Sequence, residues 1–172
     1  MAQEPTTGVE RRLKNDEIIV SKTDTKGLLT YCNQTFMRIS DYRESELIGR
    51  PHNIIRHPKM PRCIFKLLWD TISSGQELFA YVVNRTKGGD HYWVFSHVTP
   101  DFDTARRIIG YHSFRRAVTP GALAVIEPLY AQLLAEEAKY PDRKEGINAS
   151  SALLASILSD KEQTYEQFIF GL

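Results

Sequence analysis

A net charge of +1 over 172 residues excludes a nucleic-acid binder that works through bulk positive charge, and equally an acidic disordered chain. The two cysteines, Cys32 and Cys63, offer neither a disulfide framework nor a paired metal motif, which suits a reducing compartment. Apolar runs are too short to span a bilayer, and the opening "MAQEPTTGVERRLKNDE" has no apolar targeting core, so a cytoplasmic protein of one domain plus extras is expected.

In chain order, residues 1–15 read as a polar arm or short helix. "EIIVSKTD" is a first strand, Lys26-Gly27 a turn, and the following "LLTYCN" a second strand. "NQTFMRIS" and "YRESELIGR" read as two short helices separated at Asp41-Tyr42. "RPHNIIRHPKMP" comes next, rich in proline, histidine and cations and free of acids. In "PRCIFKLLWDTISSG" the recurrence of Ile64, Leu68 and Ile72, with Phe65 and Trp69 beside them, predicts the longest helix of this region. "ELFAYVVNRTKGGDHYWVFSHVTP" predicts a hairpin turning at Gly88-Gly89-Asp90, and "RRIIGYHSFRRAV" a further strand.

Beyond Thr119 the pattern becomes helical. Thr119 and Pro120 mark a start, and Leu123, Ile126, Tyr130 and Leu133 form a 3-4-3 seam that Pro128 should kink or split. "YPDRKEGINAS" reads as a linker before a last amphipathic segment, in which Ser159 and Glu162 suggest a capping box that starts a separate final helix.

The segments "TDTKGLLTYCNQTFMRISDYRESELIGRPHNIIRHPKMP", "NRTKGGDHYWVFSHVTP" and "IIGYHSFRRAVTP" resemble the PAS domains of bacterial aerotaxis and energy-taxis receptors, and the likeness continues into "IEPLYAQLL". It implies an α+β PAS fold: a five-stranded antiparallel sheet with short helices on one face, followed by C-terminal helices. The implied boundaries are an arm over 1–15, the sensor domain over 16–119 and a helical extension over 120–172. It further implies non-covalent binding of FAD and signalling to a membrane-bound chemotaxis transducer, as the soluble PAS subunit of a two-protein energy-taxis receptor, with a homodimer also open.

FAD needs donors or cations for its pyrophosphate and flat apolar walls with a few aimed polar groups for its ring. Arg56 and His57 are the candidates for the phosphate side. Asn84 aligns with a ring-facing amide of the family, Tyr92 and Val94 share its phase, and Trp93 falls on the other face. His112 falls where a flavin-facing residue stands in relatives, and Asn33, Phe65, Trp69 and Leu78 complete the lining. Asn33 also reads as a helix N-cap, and Phe65 and Trp69 as plain core. Lys59 stands where single-chain receptors have an acid, and Leu78 where they have a tryptophan.

His52 occupies the position of the photoreceptor cysteine, so adduct photochemistry is not expected. His52 and His57 are spaced poorly for a metal. The alternatives are a haem-based gas sensor using one of the five histidines and a cofactor-free adaptor. No nicotinamide fingerprint or nucleophile–base pair supports an enzyme.

Overall fold

A computed structural model describes residues 5–172. Five strands form one antiparallel sheet in the order β2-β1-β5-β4-β3: β1 Ile19–Thr23, β2 Leu29–Cys32, β3 Leu78–Arg85, β4 His91–Phe102 and β5 Ile108–Arg116. Between β1 and β2, Asp24 turns the chain through its own side chain. Its carboxylate accepts from Lys26 N at 2.9 Å and Leu28 N at 2.8 Å, and Gly27 takes a left-handed φ of 79°.

The short helices between β2 and β3 are α1 Gln34–Ser40, α2 Glu44–Leu47 and a 3-10 turn His52–Ile55. The longer α3 is Arg62–Ser73. The C-terminal helices are α4 Pro120–Glu137, α5 Arg143–Asp160 and α6 Tyr165–Phe170. This is the α+β architecture that the sequence predicts.

The chain divides into two compact units. One comprises residues up to His57 together with Thr71–Ala117; the other is Pro58–Asp70 with Val118–Leu172. Most of α3 therefore groups with the C-terminal helices, although it precedes β3 in the chain.

In the first unit the arm adds to the sheet. β5 reaches along β4 only as far as the pair Phe95 and Arg116, which leaves the start of β4 open on that side. Glu10 bridges His91 in parallel there: His91 N donates to Val9 O at 2.9 Å and Arg11 N to His91 O at 2.7 Å. Arg11 pairs with both Asp90, at 2.8 Å, and Asp41, at 2.6 Å. At the hairpin tip Gly89 has φ 95°, and a Cβ there would collide with the Pro5 carbonyl. Covering an otherwise open strand edge in this way is a common protection against edge-to-edge pairing.

In the second unit, Thr119 caps α4 by accepting from Ala122 N at 3.2 Å. α4 runs unbroken through Pro128, so of the expected kink or split the split does not occur. The predicted linker is also mostly helical. Asp142 caps α5 by accepting from Glu145 N at 2.8 Å, and the helix starts at Arg143. The capping box stands at Thr164 with Gln167 rather than at Ser159 with Glu162, because α5 continues to Asp160.

α3 has a cap that lies far away in sequence. Glu137, at the end of α4, accepts through one carboxylate oxygen from Arg62 N at 2.7 Å, Cys63 N at 3.0 Å and Ser150 Oγ at 3.2 Å. A negative charge on the first N–H groups of a helix is the favourable placement. No described helix is long and apolar enough to cross a membrane.

Candidate functional site

Strand alternation assigns every sheet residue to one of two faces, and the register carries that assignment across strands. Asn84 pairs with Tyr92 and Leu78 with Val98, so Leu78, Val82, Asn84, Tyr92, Val94 and Ser96 share a face. Ser96 pairs with Arg115, which pairs with Ile19, and Ser113 pairs with Ser21, extending the same face across β5 and β1. Asn84, Tyr92, Val94, Ser96, Arg115 and Ser21 on it are all buried.

Arg115 is the strongest charge on this face. It is 2% exposed, and among the described residues no carboxylate forms an ion pair with it. Its Nε donates to Ser113 Oγ at 3.0 Å, and its Nη2 donates to Ser21 Oγ and, at 3.2 Å, to His52 Nε2. The guanidinium lies 5.0 Å from the centre of the Phe36 ring, whose other neighbour is the stacked His52 ring at 6.0 Å.

Because His52 Nε2 accepts here, its proton sits on Nδ1 and the imidazole is neutral. Burial, with the Arg115 charge adding to it, pushes the His52 pKa down to about 3. Burial pushes Arg115 down to about 10, still a cation at neutral pH, and the Tyr92 hydroxyl acts in the opposite direction. Burial raises Tyr92 well above the usual phenol range, so its hydroxyl keeps its proton.

Three polar atoms of this face are buried and lack a hydrogen-bond partner: Asn84 Nδ2, Tyr92 OH and Arg115 Nη1. All three can donate. Leaving such a group unmet costs about 1–3 kcal/mol each, so the three on this face are available to acceptors of a water or a ligand. A flat heteroaromatic ring with carbonyl and ring-nitrogen acceptors along one edge fits that set, with Leu78, Val82 and Val94 as apolar floor.

The other sequence-predicted residues are distributed as follows. Arg56 bridges Asn84 through the backbone, bringing the proline-rich motif to the open edge of β3. His57 is buried, its ring 5.5 Å from that of His91. Asn33 is committed to the scaffold: its Oδ1 accepts from Phe36 N and Val20 N, both at 3.1 Å, and its Nδ2 donates to Ile18 O at 2.8 Å. The helix-cap reading of Asn33 therefore holds, and both polar atoms of its side chain bond the scaffold. Phe65 and Trp69 stand on the part of α3 that belongs to the second unit, Trp69 being 40% exposed.

His112 requires correction. It pairs with Thr99 and Lys22, out of phase with Ser113 and Arg115, so it lies on the face opposite Asn84 and Tyr92. The inward residue of that strand end is Arg115, which the sequence reading missed. "SFRR" looks like an exposed strand end, and only the register separates its two arginines.

The family model described as the PAS fold matches residues 29–115. The chain is 41% identical over 121 residues to the aerotaxis receptor of Escherichia coli, covering 70% of this chain and 24% of that protein. It thus spans about a quarter of that relative's length. Among solved structures it is similar to a PAS domain from Colwellia psychrerythraea, with TM-score 0.55, 19% identity, and 59% of this chain and 86% of that one covered. It is also similar to a light-oxygen-voltage domain whose mechanism was probed with a flavin analogue, with TM-score 0.56, 18% identity, and 72% and 87% covered.

Proposed function

Because the chain belongs to the PAS-fold family, we propose that it is a sensor module that holds FAD non-covalently on the inner face of its sheet. In this reading it reports the redox state of that flavin to a chemotaxis transducer in the membrane. The observation that carries the reading is the set of buried, unmet donors Asn84 Nδ2, Tyr92 OH and Arg115 Nη1 on one face. Identity to an aerotaxis receptor supports the signalling side. In this reading Arg56, whose backbone bridges that of Asn84, and His57 serve the phosphate end. The module acts by binding and relay rather than by turnover, and it works in the cytoplasm.

FAD supplies the electron-accepting ring; the protein supplies donors, apolar cover and a fixed charge. The test is an absorbance spectrum of the purified full chain, followed by titration with FAD. A flavin spectrum, lost in Arg56→Ala while circular dichroism stays native, supports the reading. A chain that retains no flavin after FAD addition and desalting overturns it, as does a haem Soret band.

A further inference from the structure

The flavin reading leaves open which charge state of the ring the site prefers. We propose that Arg115 is the counter-ion for an anionic ring: the site holds reduced FAD as its monoanion. This inference rests on the FAD reading and goes further, because it assigns a residue to the redox behaviour itself.

A guanidinium is the side chain most costly to leave buried without a negative partner, and proteins rarely do so unless a partner arrives. Arg115 is 2% exposed, and its protein partners are two serine hydroxyls, the neutral His52 and the face of Phe36. None carries negative charge. The titratable groups in electrostatic reach are His52, from the 3-10 turn, and Tyr92, from β4; His52 is neutral and Tyr92 protonated at physiological pH. One of its nitrogens, Nη1, is buried and unused. A fixed cation with a spare donor, on the same sheet face as two other spare donors, suits a ligand whose negative charge appears on that face.

The charge balance is explicit. Oxidised flavin is neutral at the ring; two electrons from a soluble reductant and one proton from water give a ring bearing one negative charge. Taking up two protons instead would give a neutral ring and gain nothing from Arg115. The cation therefore favours the one-proton product and raises the potential. Oxidised and reduced ring would then differ in how strongly they pull on Arg115. Through Ser21, Ser113 and His52 that pull reaches β1, β5 and the 3-10 turn.

The experiment is a spectroelectrochemical titration of the FAD-loaded full chain, with dithionite as reductant, over a mildly acidic pH series. Free FAD serves as the reference, and Arg115→Met and Arg115→Lys are the variants. The wild type is expected to take up one proton per two electrons, giving half the pH slope of free FAD. Arg115→Met should revert to two protons at a lower potential, and Arg115→Lys should keep the one-proton slope. Each variant is titrated at saturating FAD, so that the slope is read on fully loaded protein.

Bound FAD with a two-proton slope in the wild type overturns the inference and leaves the flavin reading standing, as does an unchanged slope in Arg115→Met. A large loss of oxidised-FAD affinity with an unchanged proton count would assign Arg115 to the pyrophosphate, which also overturns it. With riboflavin, which has no phosphate, in place of FAD, the wild type should keep the one-proton slope and Arg115→Met should still revert to two protons. A chain that binds no flavin at all overturns both readings together.

Discussion

Two of the buried charges among the described residues, Glu137 and Arg115, are handled in opposite ways. Glu137, in the helical unit, spends one carboxylate oxygen on two backbone N–H groups of α3 and on Ser150. Arg115, on the sheet, is surrounded by neutral groups and keeps an unused nitrogen. The first charge is satisfied by the fold and serves the architecture. The second is incompletely satisfied by the fold, which marks it for a ligand. Buried charge alone says little about function; what distinguishes the two is whether the protein itself completes their bonding.

The largest effect is expected where the fold completes the charge. Glu137→Ala should strip the first turn of α3 of its acceptor and lower stability by about 2–3 kcal/mol in urea unfolding. Glu137→Gln keeps a carbonyl acceptor and should lose less, about 1 kcal/mol. Equal losses would mean that the carboxylate charge, not its acceptor geometry, does the stabilising.

His52 provides the next test, because its neutral form is what Arg115 needs as an acceptor. Its folded pKa of about 3 lies below the ordinary histidine value of 6.5. Between these values the unfolded chain binds a proton that the folded chain refuses. The His52 contribution is therefore complete above pH 6.5 and is lost as pH falls toward 3, at roughly 1.4 kcal/mol per pH unit. The depressed carboxylates Asp90, Glu17, Glu46 and Asp103 have ordinary values of 4.5 or lower, so the range from pH 6.5 down to about 5 isolates histidine. His52→Gln should flatten the stability curve there; a slope that persists unchanged would move the effect to another imidazole.

Much of the sheet was legible because strands announce themselves by alternation. Asn84, Tyr92 and Val94 were placed on one face, with Trp93 on the other, by counting in twos, and the register agrees. His112 failed for the same physical reason that those succeeded. A one-residue error in phase reverses a strand's faces, and nothing local in "GYHSFRR" sets the phase; the pairing of Ser96 with Arg115 does. The α3 cap was not legible either, since Glu137 lies 75 residues from the N–H of Arg62 that it receives. In the C-terminal part, "YPDRKEGINAS" looked like a linker for its proline and glycine. Yet Asp142 is a cap, and Gly146 sits where a Cβ would press on the Glu137 carbonyl at 2.7 Å. Local composition reported a break, and packing turned the same residues into the start of a helix.

The smallest effects test the sheet comparison most sharply, because Arg115 and Arg116 are chain neighbours on opposite faces. Each guanidinium lies 5.0 Å from an aromatic centre, Phe36 for Arg115 and Phe95 for Arg116. Arg116 does so in water, so Arg116→Ala should cost no more than about 0.5 kcal/mol. Arg115→Met is expected to leave ligand-free stability unchanged or to raise it by up to about 1 kcal/mol. Its lost hydrogen bonds can be covered locally, since Ser21 already lies 3.2 Å from His52 Nε2 and Ser113 3.3 Å from Ser96. What is removed is chiefly the burden of an uncompensated charge. A loss above about 2 kcal/mol in Arg115→Met would place Arg115 beside Glu137 as a structural charge, and the contrast between the two regions would disappear.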